Sequence, residues 1–358
     1  MIQNAETKVS EAQAPIKKLS IVIPCYNCEK TIGRLLDSIL ANNLDKDQYE
    51  VIVCDDKSTD NFLDIVKTYE DKMDIVYCTT TRDVHCPGNT RQAALPYIRG
   101  EWFTFIDNDD MFEPNAFSDA FYYIKKENVE YTLVTNFREY FYETKEYGRE
   151  ITNDQTDTWL HGKFFNTQHT LNEFHCYFQE DLMSHEDLFF NSSNLAALIA
   201  LDKDYVYVPV FTYKWVYNPE SLSRSYFSQK DYYIDTYLND FMEASSGPFF
   251  DMYNKYKDTD KEKAGFALNQ IMMSLLHGYF YYEASEWRLG TNNTLIESYN
   301  GIKRLKRKMI KELGLTDDDI ISYIYSIPQR YNSVKIHSFD GTCPFVETRS
   351  FRDFILNL

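Results

Sequence analysis

The first 110 residues alternate short apolar runs with helical patterns, and this alternation constrains the fold more than any other feature. Four apolar runs have the length and composition of β-strands, at 19–24, 49–54, 74–78 and 102–106. Helical stripes separate them, and the clearest stripe covers 30–41. Strands that alternate with helices form βαβ units, so the sequence predicts an α/β fold with a mostly parallel central sheet.

The pattern changes near residue 228. Beyond it, three long stretches have helical periodicity and little strand character, at 232–244, 261–286 and 294–313. We therefore predict a flexible tail at 1–18, an α/β domain at 19–228 and a mainly α-helical C-terminal domain at 229–358. The C-terminal domain carries no chemical motif, and we expect it to serve acceptor, partner or oligomer contacts. The sequence leaves the oligomeric state open.

Glycine content excludes two kinds of nucleotide site. The chain has 12 glycines in 358 residues, whereas average usage would give about 25. No two of them have Gly-x-Gly spacing, and no Gly-Lys precedes Ser or Thr. A Rossmann fingerprint and a Walker A loop are therefore both absent. A nucleotide would have to be held by other groups.

Charge and cysteine content set further limits. With 37 basic and 55 acidic residues the formal net charge is −18, which argues against nucleic-acid binding through the whole surface. Seven scattered cysteines favour reduced thiols. No run of about 18 apolar residues occurs, and the N-terminal stretch lacks the apolar core of a signal peptide. The sequence therefore predicts a cytoplasmic protein without a transmembrane segment.

Polar residues follow three of the predicted strands directly. The first strand ends in Pro24-Cys25-Tyr26-Asn27, the second in Asp55-Asp56, and the fourth in Asp107-Asn108-Asp109-Asp110. In open parallel sheets, ligands bind outside the carboxyl ends of the strands. We therefore expect these side chains to converge at one edge of the sheet.

The acids at these strand ends have two interpretations. Single aspartates commonly cap the following helix or loop. Five acids at two strand ends repel one another unless something neutralises them. Mg²⁺ or Mn²⁺ binds carboxylate oxygens and often bridges them to substrate phosphates. The cluster therefore favours a divalent cation that binds the substrate phosphates in place of the absent glycine loops.

These segments together resemble family 2 of the glycosyltransferases. The residues that carry the resemblance are Ile21-Val-Ile-Pro-Cys-Tyr-Asn27, Val53-Cys-Asp-Asp-Lys-Ser-Thr-Asp60 and Phe105-Ile-Asp-Asn-Asp-Asp110. The resemblance covers roughly residues 18–226. It implies the GT-A fold, an α/β nucleotide-sugar-binding domain, for this part of the chain.

The resemblance also implies donor-binding residues. Tyr26 matches the residue that lies against the nucleobase, and Asp56 the carboxylate that accepts a hydrogen bond from it; a core aromatic and a turn cap are the alternatives. Arg91, in Gly88-Asn-Thr-Arg-Gln92, is expected at the donor phosphates or ribose, or in an ion pair with Asp55 or Asp107. Arg224, in a Ser-rich loop, closes on the diphosphate or is a solvated loop residue. The remaining expected donor contacts are Pro24, Asn27, Asp55, Asp107 and Asn108.

Asp107-x-Asp109 matches the family's DxD motif. The resemblance implies Asp109 as a direct ligand of Mn²⁺ or Mg²⁺, with Asp107 as a second ligand or a ribose contact. Asp110 is expected to cap the segment that follows.

Ser184-His-Glu-Asp187 resembles the family's Glu-Asp motif. It implies Asp187 as the catalytic base, since a carboxylate that reaches the acceptor hydroxyl can take its proton. The alternative is a helix N-terminus with acids near the dipole. Glu186 is expected to orient the base or contact a substrate. The other acceptor-side candidates are His185, Trp159 and Lys163.

The implied function is a metal-dependent inverting glycosyltransferase that moves a sugar from a UDP-sugar to an acceptor hydroxyl, expected on a surface glycan. A protein side chain and a modified DNA base, as in phage-type enzymes, also fit as acceptors, although the acidic charge disfavours nucleic acid. Two other classes stay open: a nucleotidyltransferase and a non-catalytic nucleotide-sugar-binding module. A basic stretch at 303–308 is read as a solvated helix face, with a membrane surface or a nucleic-acid backbone as alternatives.

Overall fold

The computed structural model of the protein describes residues 17–82, 85–152, 159–219, 232–289, 296–326 and 349–358. They form two compact units. The first contains residues up to Leu182 and Glu186–Asn218, and the second contains Met183–His185 and the chain from Pro219 onward. Residues 1–16 of the predicted tail and the predicted boundary near 228 lie outside the described residues.

A nine-stranded sheet forms the first unit, in the order β3-β2-β1-β4-β8-β6-β9-β5 with β7 paired to β6. Pairing is parallel between β1 and each of β2 and β4, and between β2 and β3. These four strands are the predicted ones, so the expected α/β fold with a mostly parallel sheet is confirmed. The strands are β1 Lys17–Cys25, β2 Tyr49–Asp55, β3 Ile75–Thr79, β4 Gly100–Phe105, β5 Met111–Phe112, β6 Thr132–Phe141, β7 Glu146–Ile151, β8 Lys163–Asn166 and β9 Val206–Val216.

Both faces of the sheet are buried at its central strands. Alternation along β1 and β2 sends Ile21 and Val53 into one core and Val22 and Ile52 into the other. Helices α1, α2 and α4 pack on the first core, and α3 and α5 contribute to the second. Apolar residues on both faces explain why the strands read as continuous apolar runs. The helices are α1 Ile32–Leu40, α2 Phe62–Lys67, α3 Pro87–Ala94, α4 Ala116–Lys126 and α5 Glu186–Ala200.

The second unit is helical in its described part, as predicted. Gly278 and Gly301 lie against Met242, so three of its helices approach one another closely there. No helix in the described residues is long and apolar enough to cross a membrane. The helices are α6 Tyr232–Tyr256, α7 Lys261–Leu289, α8 Ile296–Leu313, α9 Asp317–Ser326 and α10 Arg349–Asn357.

Part of the basic stretch 303–308 is engaged within the second unit. The Lys306 ammonium is buried and donates to the Ile355 carbonyl at 2.6 Å and to Asp317 at 3.0 Å. Arg304 donates to the Asn239 side chain. These contacts reduce the charge that this helix face can offer to a polyanion.

Candidate active site

The loops after β1 and β2 are tied together by the residues that the sequence singled out. Asn27 adopts a left-handed backbone, with φ of 46°, which asparagine tolerates better than most residues. Its amide oxygen accepts from the Thr59 backbone N–H at 2.8 Å, and its own N–H donates to the Ser58 hydroxyl at 2.9 Å. Asp55 accepts from the Ser58 N–H. Asn27 and Asp55 therefore shape these loops.

Tyr26 and Asp56 lie beside these loops and differ in exposure. The Tyr26 side chain is 48% exposed, whereas Asp56 is buried. One Asp56 carboxylate oxygen accepts a hydrogen bond of 2.7 Å from the Thr80 hydroxyl. An exposed aromatic ring next to a fixed carboxylate suits a flat heterocycle that carries an N–H donor.

Arg91 links two of the predicted acidic motifs. From α3, its guanidinium donates to Asp107 and to Glu186, each at 2.5 Å. Burial by itself lowers the Arg91 pKa, but the charges of Asp107 and Glu186 outweigh it and the net shift is upward. The expected ion pair with Asp107 is present, and Glu186 is a second partner that the sequence did not indicate.

Asp107 also belongs to a compact acidic group with Asp110 and His161. One ligand atom from each of the three lies within 4.8 Å of the others. Burial raises the pKa of Asp107, but Arg91 and His161 reverse this and hold it below its usual value. In the described residues this is a set of side chains able to hold a metal ion.

Asp110 anchors the DxD turn to β9. Its carboxylate accepts from the Tyr213 hydroxyl at 2.5 Å and from the Val216 N–H at 2.7 Å. Burial, opposed by the nearby His161, raises the Asp110 pKa to about 7. Because both oxygens are engaged with β9 and the residue is buried, its first role is to hold the turn. The predicted capping of the following segment stays a prediction.

Asp109 makes contacts of its own. One of its carboxylate oxygens accepts from the Asn218 amide at 3.0 Å, directly after β9. Arg34 donates to the Asp109 backbone carbonyl. Burial raises the pKa of the Asp109 carboxyl. The partly exposed carboxylates of Asp107 and Asp109 flank Asn108, whose amide donates to the Pro24 carbonyl at 2.9 Å.

Asp187 lies in the first turn of α5, beside the Arg91-bound Glu186. Burial, reinforced by the nearby Glu186 charge, raises the pKa of Asp187 to about 7. Its carboxylate accepts from the Leu188 N–H, as in the helix-terminus alternative. A carboxylate with this pKa can also take a proton near neutral pH, so the two roles are compatible.

The remaining predicted residues are three acceptor-side candidates and one loop residue. Lys163 is fully buried and donates to the Trp159 carbonyl at 2.7 Å, which does not favour contact with a substrate. The Trp159 ring lies against Phe137. His185 belongs to the second unit, where burial lowers its pKa to about 3. Arg224 lies outside the described residues.

Sequence reasoning did not assign four residues that the structure adds to the site. They share one property, a side chain that contacts a predicted carboxylate: Thr80, His161, Tyr213 and Asn218. Asn218 carried a usable signal, because it follows a strand end as the other site residues do. His161 carried a weaker signal, which was its position directly before Gly162. Thr80 and Tyr213 carried none, since an isolated hydroxyl has many structural uses.

A match to a protein-family model establishes the family to which this site belongs. Residues 20–184 match the model described as Glycosyl transferase family 2. The chain carries a family 2 glycosyltransferase domain. The match begins in β1 and includes the Tyr26, Asp56, Arg91 and DxD segments, and it ends two residues before Glu186.

Curated relatives of this glycosyltransferase domain include enzymes named for a polyol phosphate polymer. The poly(ribitol-phosphate) β-N-acetylglucosaminyltransferase TarS of Staphylococcus aureus is 30% identical over 60% of this chain and 39% of its own length. The poly(ribitol-phosphate) β-glucosyltransferase of Bacillus spizizenii is 38% identical over 32% of this chain and 18% of its own length. The chain thus spans about two-fifths or less of these two relatives.

Among solved structures, Staphylococcus aureus TarS 1–349 in complex with UDP-GlcNAc aligns with 92% of this chain and 99% of its own, with a TM-score of 0.59 and 22% identity. The complex of the same fragment with UDP gives a TM-score of 0.52. At this level of identity the likeness establishes the fold. The glycosyltransferase domain therefore has the GT-A fold that its sequence predicted.

Proposed function

We propose that this protein is an inverting glycosyltransferase that moves a sugar from a UDP-sugar to an acceptor hydroxyl. One observation carries the proposal. Arg91 binds Glu186 and Asp107 at once, and this brings the Glu-Asp motif and the DxD motif to the same edge of the sheet. A base for the acceptor and carboxylates for the donor are needed side by side in a single displacement.

Asp187 is proposed as the base. Its carboxylate would take the acceptor proton as the hydroxyl oxygen forms a bond to the anomeric carbon. The bond between that carbon and the diphosphate oxygen breaks on the opposite face, and UDP leaves with the bonding electrons. A pKa of about 7 leaves much of Asp187 ionised at neutral pH while keeping it basic enough to accept a proton.

Glu186 and Arg91 are proposed to hold this base in place. Glu186 is buried and bound to Arg91, so it fixes the first turn of α5 and adds the negative charge that raises the Asp187 pKa. Arg91 neutralises part of that charge. We therefore assign Arg91 a positioning role in place of direct phosphate binding.

The donor is proposed to lie along the ends of β1, β2 and β4. Tyr26 would contact the base and Asp56 would accept its N–H, while Pro24, Asn27, Asp55 and Asn108 shape the loops around it. TarS, whose fragment shares this fold, is known in complex with UDP and with UDP-GlcNAc. That supports UDP as the nucleotide, and the sugar stays open.

The side chains present fit a divalent cation. Carboxylates suit Mg²⁺ and Mn²⁺, and an imidazole close by favours a transition ion such as Mn²⁺. Asp107 and Asp109 would hold it, because both are partly exposed, whereas Asp110 is buried and fully bonded. His161, near Asp107 and Asp110, would complete the set. When bound, the ion supplies positive charge for the leaving diphosphate.

The acceptor is proposed to be a hydroxyl of a surface glycan. The names of two curated relatives, which refer to poly(ribitol-phosphate), support a polyol phosphate polymer of this kind. The family match favours glycosyl transfer over nucleotidyl transfer, and the retained Asp187 and Asp109 speak against a purely binding module.

The test is a panel of nucleotide sugars with Mn²⁺, in which UDP release is measured with and without poly(ribitol-phosphate). We expect release that depends on one UDP-sugar and rises with the polymer, together with a β-linked product. Absence of release and of any donor-induced rise in thermal stability across the panel would refute the proposal. Release without the polymer effect would retain the donor and reject the acceptor.

A further inference from the structure

The loop between β3 and α3 brings a histidine ring to the place proposed for the nucleobase. The imidazole of His85 and the ring of Tyr26 have centroids 5.0 Å apart and planes tilted by 40°. The Nδ1 atom of His85 is 3.7 Å from the Oδ2 atom of Asp56. His85 thus faces both groups that the proposed function gives to the base.

One carboxylate oxygen of Asp56 faces the position proposed for the nucleobase. Its Oδ1 atom already accepts from the Thr80 hydroxyl at 2.7 Å, and Oδ2 is the oxygen on the His85 side. A nucleobase N–H that binds Asp56 would therefore approach the oxygen that now faces the imidazole. The imidazole of His85 and a nucleobase would therefore present the same features at this position: a flat ring with an N–H toward Asp56 and a face toward Tyr26.

The space between the rings excludes joint occupancy. A third ring between Tyr26 and His85 would need the two about 7 Å apart, since each contact requires about 3.5 Å. Their centroids are 5.0 Å apart. A base on that face of Tyr26 therefore requires His85 to move.

The described residues on both sides of His85 are anchored by contacts. Before it, the Thr80 hydroxyl binds Asp56, and Arg82 pairs with Glu180 at 2.8 Å. After it, the Cys86 thiol donates to the Leu182 carbonyl. His85 itself has a left-handed backbone, with φ of 48°, and its side chain is 48% exposed. These contacts hold Thr80, Arg82 and Cys86 in place, and the exposed imidazole of His85 has solvent into which it can turn.

We infer that His85 occupies the nucleobase position of the donor-free protein and must be displaced when the nucleotide binds. This inference rests on the proposed donor site. It makes His85 a residue that sets donor affinity by competing with the base from within the chain. Removing the imidazole removes the competitor while leaving Tyr26 and Asp56 in place.

The test is titration calorimetry of UDP with the full chain and with His85→Asn, which keeps a residue that tolerates a left-handed backbone. We expect the variant to bind UDP about three- to tenfold more tightly, the scale of one lost ring contact. His175→Asn is the matched control, because His175 is an exposed histidine with φ of 54°. It should bind UDP as the unaltered chain does.

A second measurement distinguishes displacement from a general loosening of the loop. In ¹⁵N-histidine spectra, UDP should move the imidazole signals that are missing from His85→Asn. Equal or weaker UDP binding by His85→Asn, or unmoved His85 signals at saturating UDP, would overturn this inference alone. Absence of UDP binding by the unaltered chain would instead overturn the proposed function, and this inference with it. Asp56→Asn should weaken UDP binding in either background.

Discussion

Arg91 and Glu186 are 95 positions apart in the sequence, yet the guanidinium donates to the carboxylate at 2.5 Å. The same guanidinium binds Asp107. Asp107 precedes the turn that carries Asp109, and Glu186 precedes Asp187, so one buried cation sets the spacing between the proposed donor and acceptor carboxylates. The order of the strands creates this contact, because α3 and α5 contribute to the same core beside β1 and β4.

We expect Arg91→Lys to lower both stability and turnover. A lysine has one ammonium group and cannot reproduce the planar fork that serves two carboxylates. Since a buried charge loses a partner, the free energy of unfolding should fall by about 3 kcal/mol, measured by urea unfolding. Arg82→Lys is the control, because its pairs with Glu180 and Asp181 are exposed. Its urea unfolding midpoint should stay close to that of the unaltered chain, because exposed ion pairs add little to stability. Equal losses in the two variants would contradict the bridging role.

Asp187→Asn should retain UDP binding and lose turnover. The amide cannot accept the acceptor proton, so the rate of polymer-dependent UDP release should fall by about 10² to 10⁴. Asp181→Asn removes an exposed carboxylate of similar chemistry and should leave that rate unchanged. A variant at Asp187 that keeps more than a tenth of the activity would exclude it as the base.

The proposed base also predicts the pH profile. Burial and Glu186 raise the Asp187 pKa to about 7, so below that pH the carboxyl already holds a proton and cannot take another. kcat/KM should therefore rise with pH through about 7 and level off above it. The measurement is UDP release at saturating metal from pH 5.5 to 8.5. The same activity at pH 5.5 and pH 8 would be incompatible with this assignment.

Asp109→Asn should separate metal binding from the fold. In the unaltered chain, Mn²⁺ should tighten UDP binding by about tenfold or more, because a cation between carboxylate and diphosphate offsets their repulsion. The variant should lose this increase. Asp60→Asn is a suitable control, since Asp60 follows another strand of the same sheet, β2, but binds the Glu29 N–H. An undiminished Mn²⁺ effect in Asp109→Asn would shift the metal assignment to Asp110 and His161.

The sequence predicted the part of the fold that local patterns determine. Three of the four predicted strands, β1, β2 and β4, are buried along most of their length, so each is a continuous apolar run between helical stripes. Two strands of the antiparallel part carry little pattern, because β5 has two residues and β7 is Glu146–Ile151, a mostly exposed strand.

The candidate site was likewise predictable only in part. Aspartates at strand ends could be located from the chain because the edge of a parallel sheet gathers them. Their partners could not, because the Arg91–Glu186 and Asp109–Asn218 contacts join residues 95 and 109 positions apart. No spacing rule encodes such pairs.

Two glycines of α7 should respond oppositely to the same substitution. A methyl group at Gly265 would meet nothing within 4 Å, whereas at Gly278 it would lie 2.5 Å from the Met242 sulfur and 2.9 Å from its Cγ. Gly265→Ala should therefore raise the free energy of unfolding by about 1 kcal/mol through helix propensity. At Gly278, overpacking costs about 1–3 kcal/mol and should exceed that gain. Thermal unfolding followed by circular dichroism should show a higher midpoint for Gly265→Ala and a lower one for Gly278→Ala. A higher midpoint in both variants would mean that Met242 repacks freely and that the close approach of these helices does not limit the stability of the second unit.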